Sequence, residues 1–179
     1  MRKRLSVASL AAVVVLGAGV GRAEVFDHQP SGFEVGHVTE IAAPSARVWK
    51  ALGQIGAWWN PKHTFSGDSR NLTLELKPGG CWCETLEGGG GVRHMTVVAV
   101  RPGQSIVLEG ALGPLQATGA MGHMTWTLHD MGARTTITVR YDVGGYVSGG
   151  LEKLATPVDS VLAEQAERLK LYVETGKPE

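Results

Sequence analysis

Apolar and polar positions divide the chain into three zones. Residues 5–21 form an uncharged run, residues 33–143 alternate in short stretches broken by glycine and proline, and residues 151–173 repeat at spacings of three and four. In the middle zone, Phe33 to Ala43 alternates around Phe33, Val35 and Ile41 and predicts a first strand. Pro44 and Ser45 open a short helix, Ala46 to Leu52, with Val48, Trp49 and Leu52 on its apolar side. Ala57 to Asn60 reads as a second short turn that Pro61 stops, and Lys62 to Asn71 as a polar loop. Further strands are predicted over 72–77, 81–86, 92–100, 105–109, 123–129 and 134–143, with turn residues such as Pro78-Gly79-Gly80 and Arg101-Pro102-Gly103 between them. Hairpin-length spacings make the sheet antiparallel. The stretch Gly110 to Gly122, rich in Gly and Ala, reads as a long loop or irregular edge, and Glu24 to Gly32 as a polar, flexible segment.

The last zone is helical. Leu151, Leu154, Ala155, Val158, Val161, Leu162, Leu169, Tyr172 and Val173 form one apolar stripe. Pro157 suits a first helical position behind a Thr156 cap, so a lead-in turn followed by a long helix from Pro157 to about Thr175 is expected, stopped by Gly176 and Pro178. Gln165 falls inside the stripe, where its amide needs a partner.

The first zone changes the picture of the whole chain. Met1-Arg2-Lys3-Arg4 precedes the uncharged run, and Gly21-Arg22-Ala23 ends it in a small-x-small pattern. These are the three parts of a secretory signal, expected to be cleaved after Ala23, and the run is short and glycine-rich for a membrane span. An exported protein, periplasmic or secreted, is therefore expected. Loss of the four basic residues in that segment leaves 13 basic against 17 acidic residues, a net charge of −4. That balance argues against nucleic acid and anionic lipid as partners. The remaining length suits one domain, residues 33–176, that folds without a disulfide.

Cys81 and Cys83 share one face of a predicted strand. A bond between them would close a very small ring, and no second Cys or His cluster supplies further metal ligands, so two small core residues are expected. The six histidines are scattered, and neither a phosphate loop nor a Gly-x-Ser-x-Gly elbow occurs. No metal or cofactor is expected. Asn71-Leu72-Thr73 matches a glycosylation sequon, a match frequent by chance.

The element order and several local sequences resemble the START-like (SRPBCC) helix-grip superfamily, in its polyketide cyclase and chaperone-activator branch. "EIAAPSARVWKAL" (40–52) is similar to its first strand and Pro-started helix, "GAWWNPKHTFSGD" (56–68) to its second helix and loop, and "GGCWCETL" (79–86) to its Gly-Gly-x-aromatic-x-Glu hairpin. "MTWTL" (124–128) and "TTITVRYDVGGY" (135–146) resemble its last two strands. The resemblance implies an α+β helix-grip fold: a curved antiparallel sheet of about seven strands wrapped on a long C-terminal helix, with two short helices after the first strand. It also implies a cavity between sheet and helix for an apolar or amphipathic small molecule or lipid. The signal pattern removes the cytosolic chaperone-activator role.

Alternation puts Trp82 and Glu84 on one face of their strand, and the family pattern turns them toward the cavity; a solvent-facing Glu84 is the alternative. A buried Glu84 needs a donor or it sits protonated. His94, on the neighbouring hairpin strand, can supply one; strict alternation gives it a face with Thr96, Val98 and Val100, and Arg93, Met95 and Val97 the other. The pair would serve as a polar anchor for a ligand or as a general acid/base couple. Trp126 and Tyr141 add aromatic surface, Trp59 and His63 close one end of the cavity in the family pattern, and Gln165 reaches in from the helix. Three functions fit: a binding protein for a hydrophobic ligand, a cyclase or hydratase using Glu84, His94 or Tyr141 as acid and base, and a ligand-free interaction or stability module.

Overall fold

The structure, a computed structural model, describes residues 23–179; the segment expected to be a secretory signal lies, up to Arg22, outside the described residues. Eight strands form one antiparallel sheet: β1 (Ala23–Gln29), β2 (Gly32–Ile41), β3 (Leu72–Leu74), β4 (Cys81–Thr85), β5 (Gly91–Arg101), β6 (Ser105–Gly110), β7 (Gly119–Asp130) and β8 (Thr135–Tyr146). Their order across the sheet is β1-β2-β8-β7-β6-β5-β4-β3. Two short helices, α1 (Ser45–Leu52) and α2 (Ile55–Trp58), follow β2, and the long helix α3 (Glu152–Thr175) closes the chain. The sheet curves around α3 without closing, which is the helix-grip arrangement the sequence motifs imply.

The apolar stripes form the core as the pattern dictates. On β8, Ile137, Val139, Tyr141 and Val143 alternate inward, and Leu151, at the N-cap of α3, with Ala155, Leu162, Leu169 and Val173 on it, belong to the same core. α3 is also tied to β2 by a buried polar contact: His37 Nε2 lies 3.0 Å from an Asp159 carboxylate oxygen and 3.1 Å from the Asp159 carbonyl. Gly176, with φ of 83°, ends the helix by donating its N–H to the Tyr172 carbonyl.

Four elements depart from the sequence reading. The polar segment 24–32 is not loose: β1 pairs along β2 from Ala23↔His37 to Gln29↔Gly32 and supplies the eighth strand, because β2 offers a free backbone edge that composition does not reveal. α3 starts at Glu152 and runs through Pro157. Leu151 and Ala155, both fully buried one turn apart, fasten the first turn to the core strongly enough to carry the hydrogen bond that proline removes. The strand expected over 72–77 ends at Leu74. Within the expected loop 110–122, residues Gly113–Ala117 form a 3₁₀ turn and β7 already begins at Gly119.

Candidate functional site

A cavity of about 480 Å³ lies between the N-terminal half of α3 and the β4–β5 end of the sheet. Leu154, Pro157, Val158, Val161 and Leu162 form its helix wall, and Leu112 to Leu115, in the 3₁₀ turn before β7, its side. Leu72, Trp82 and His94 form the floor, with Trp59 at one end and Lys62 to Phe65 at the mouth. Carbon predominates, as expected of a small-molecule pocket with a few convergent polar groups.

The aromatic end comes from the two short helices. Trp59 stands edge-on to Trp82 with ring centroids 4.9 Å apart, and Trp58 bridges Trp59 and Trp126 at 5.7 and 5.8 Å. Trp58 donates its indole N–H to the Ala51 carbonyl at 2.8 Å, and Trp59 donates to His63 at 3.1 Å. The Trp82 indole N–H is buried and has no acceptor among the described residues.

Glu84 and His94 are brought together. Glu84 is 2 % exposed and His94 6 %, and His94 Nε2 lies 2.9 Å from Glu84 Oε2. Burial alone would raise the Glu84 carboxyl, but hydrogen bonds from Ser66, from the Phe65 backbone N–H at 3.1 Å and from His94 outweigh it and hold the group below the ordinary carboxylate range. Burial pushes the imidazole down, and the adjacent carboxylate only partly offsets that. The pair is therefore an ionised Glu84 that accepts a hydrogen bond from the Nε2–H of a neutral His94. The other ring nitrogen, Nδ1, lies 3.4 Å from the Gln116 amide nitrogen. An Nε2–H tautomer satisfies both contacts, leaving Nδ1 as an acceptor.

The face of His94 differs from the alternation reading. Across from it, Trp82 pairs with Met95 and Cys83 with Arg93, so His94 is an extra residue, a β-bulge. Met95 and Val97 face the core as buried residues while Val98 is exposed, and the bulge turns His94 inward with Met95. Strict alternation would have pointed it out.

Of the other expected site residues, Trp59, His63 and Trp82 line the cavity. Glu84 does not itself line the cavity but is bonded to His94 and Phe65, which do. Trp126, Tyr141 and Gln165 do not line it. Trp126 is core, packed on Trp58. Tyr141 is fully buried, donating its hydroxyl to the Gly110 carbonyl at 3.2 Å and accepting the Leu112 N–H at 3.3 Å, and burial pushes its ionisation far up. Gln165 accepts the Asn60 N–H at 2.8 Å and so anchors the end of α2 to α3.

Sequence reasoning missed Glu164. Its carboxylate accepts from the Asn60 side chain and meets His63 Nε2 at 2.9 Å. Burial opposes its ionisation, but these bonds prevail and keep it below the usual range. It also missed the cavity face of α3, whose signal is an apolar stripe wider than the core needs: Leu154, Val158 and Val161 flank the fully buried positions. Cys81 and Cys83, expected as separate core residues, are joined in a disulfide and are half-buried, because the core side of β4 is taken by Trp82 and Glu84. Among the described residues no three His, Cys, Asp or Glu side chains gather to hold a metal ion, and no helix is long and apolar enough to cross a membrane.

The family model described as "Polyketide cyclase / dehydrase and lipid transport" matches residues 33–174. No match is found among curated proteins. Solved structures share the fold at low identity. CalU16 from Micromonospora echinospora is 12 % identical, with 90 % of this chain and 88 % of that one covered and a TM-score of 0.58. A protein from Arthrobacter aurescens is 19 % identical, covering 87 % and 92 % at a TM-score of 0.58. Ara h 8.0201 is 14 % identical, covering 79 % and 97 % at a TM-score of 0.56.

Proposed function

The chain belongs to the polyketide cyclase/dehydrase and lipid transport family of the START-like superfamily, and from that premise we propose that it is an exported binding protein for a hydrophobic or amphipathic small molecule. The observation that carries this reading is the carbon-lined cavity of about 480 Å³ under α3, large enough for a drug-sized molecule. Lys62 and His63 at the mouth suit a polar end. Mass spectrometry of an organic extract of the purified protein tests it, together with titration by an environment-sensitive apolar dye. Recovery of a bound compound, or saturable dye uptake, is expected. An empty extract with no dye uptake would overturn the proposal.

Export rests on the pattern of residues 1–23 and on the Cys81–Cys83 disulfide, a bond that persists in oxidising compartments. Cleavage after Ala23 would leave Glu24 to Gln29 still paired on β2. The expected mature N-terminus is Glu24, in material from the periplasm or medium. Uncleaved chain in the cytosol would refute export.

The Glu84–His94 pair favours a second reading, in which His94 removes or returns a proton on a molecule held in the cavity. A carboxylate-oriented neutral imidazole has the form a general base requires. Turnover that follows a titration below 6.5 and disappears in Glu84→Gln would establish it; binding without turnover leaves the binding function alone.

A further inference from the structure

The Cys81–Cys83 disulfide has no evident structural task. It joins residues two apart on one strand, so it excludes few conformations of the unfolded chain, and both ends belong to β4, so it fastens no second element. Trp82, between the two cysteines, turns its side chain to the cavity floor, whereas both cysteines are half-buried on the opposite side of β4. Cys81 also borders a surface groove of about 540 Å³ between β3 and α2, beside Gly53, Gly56 and Glu75.

The surroundings of the two sulfurs differ. Arg93 stands directly opposite Cys83 on β5 and is exposed on the same face of the sheet. Cys81 has Thr96 as its β5 partner and shares the groove with Glu75, whose backbone N–H is bonded to the Cys81 carbonyl at 3.1 Å. A guanidinium stabilises a thiolate, and only Cys83 has one opposite it, the Glu75 carboxylate being paired with Lys77 at 3.3 Å, so Cys83 is the better leaving group and Cys81 the sulfur to be attacked.

We propose that Cys81–Cys83 is a thiol–disulfide exchange site whose substrate is a low-molecular-weight thiol entering the groove between β3 and α2. The thiolate of the incoming molecule attacks Cys81 Sγ, the Sγ–Sγ bond breaks, and its electron pair leaves on Cys83 as a thiolate beside Arg93. A second thiolate then attacks the sulfur of the bound molecule, releasing the Cys81 thiolate and a substrate disulfide. Two substrate thiols are oxidised to one disulfide, and the protein disulfide is reduced by two electrons to two thiols.

The purified full-length chain, equilibrated in mixtures of reduced and oxidised glutathione, alkylated and read by mass spectrometry, tests this. Reduction is expected while far-UV circular dichroism stays native, oxidised glutathione is expected to restore the bond, and the trapped intermediate should carry glutathione on Cys81 and the alkyl group on Cys83. Arg93→Ala is expected to slow reduction by about three- to tenfold. A disulfide that opens only when the chain unfolds would overturn the proposal, as would two thiols that oxidised glutathione leaves open. Glutathione found on Cys83 would do the same. The wild-type measurements stand alone if the variant fails to fold, and none of them depends on what the cavity holds.

Discussion

His94 and Glu84 meet at 2.9 Å, out of solvent, because β5 carries one more residue than β4 between the Trp82–Met95 and Cys83–Arg93 pairs. The extra residue is His94 itself. The bulge converts a side chain bound for the outer face into the polar element of the cavity floor, and the Phe65 and Ser66 N–H groups keep its partner ionised.

This relationship sets a pH dependence. The folded imidazole titrates below the ordinary 6.5, with burial the leading cause, so the unfolded chain takes up a proton that the folded one refuses. The stabilisation is present above 6.5 and is lost as the pH falls from 6.5 through the lowered folded value. Glu84 acts in the same direction further down: its contribution is present above 4.5 and lost as the pH falls through its own lowered value. The melting temperature is expected to drop on acidification below 6.5, with a shallower slope in His94→Gln. Equal slopes in the two proteins would contradict the buried neutral imidazole.

The Phe65 and Ser66 N–H groups donate to different Glu84 oxygens, so Glu84→Gln keeps an acceptor for one of them, turns an amide NH2 toward the other and removes the charge. A loss of about 1–3 kcal/mol in urea unfolding is expected, the range for a buried polar group left without its partner. A neutral result would mean that the carboxylate is already solvated in the folded chain.

Gly110 sits opposite Met95, at the foot of the bulge. A Cβ built there would lie 2.8 Å from Met95 Cα and closer still to the His94 carbonyl, both backbone atoms that cannot swing away. Gly110→Ala is expected to cost about 1–3 kcal/mol as strain in a packed site, and to shift the His94 ring resonances in NMR. Unchanged stability and shifts would show that the bulge tolerates a side chain.

Val158 faces the cavity from α3 and is only half-buried. In Val158→Trp the indole would occupy the cavity, so apolar-dye affinity should fall about tenfold or more, equivalent to ~1.4 kcal/mol. Stability should change little, since the added surface enters empty space. Undiminished dye uptake would place the binding surface elsewhere.

Tyr141→Phe removes a hydroxyl that satisfies Gly110 and Leu112. A loss of about 1–2 kcal/mol in unfolding with unchanged dye affinity is expected of a residue that braces the sheet rather than lining the cavity. A change in affinity at constant stability would return Tyr141 to the site.

By itself the sequence determined what depends on local periodicity. The alternation of Ile137, Val139 and Tyr141, the three-and-four spacing from Leu151 to Val173 and the turn glycines specified antiparallel strands and a long C-terminal helix, the family resemblance implied that the sheet curves around that helix, and the Trp82–Glu84 face followed from the two-residue period of a strand. Only the tertiary structure decided what depends on pairing. Residues 24–29 become a strand because β2 has an edge to offer. Pro157 stays inside α3 because Leu151 and Ala155 hold the turn before it. Cys81 and Cys83 bond on the side of β4 that Trp82 and Glu84 leave free. His94 faces inward because the β4–β5 register slips by one residue at that point, and register belongs to two strands at once, so no period within either strand encodes it.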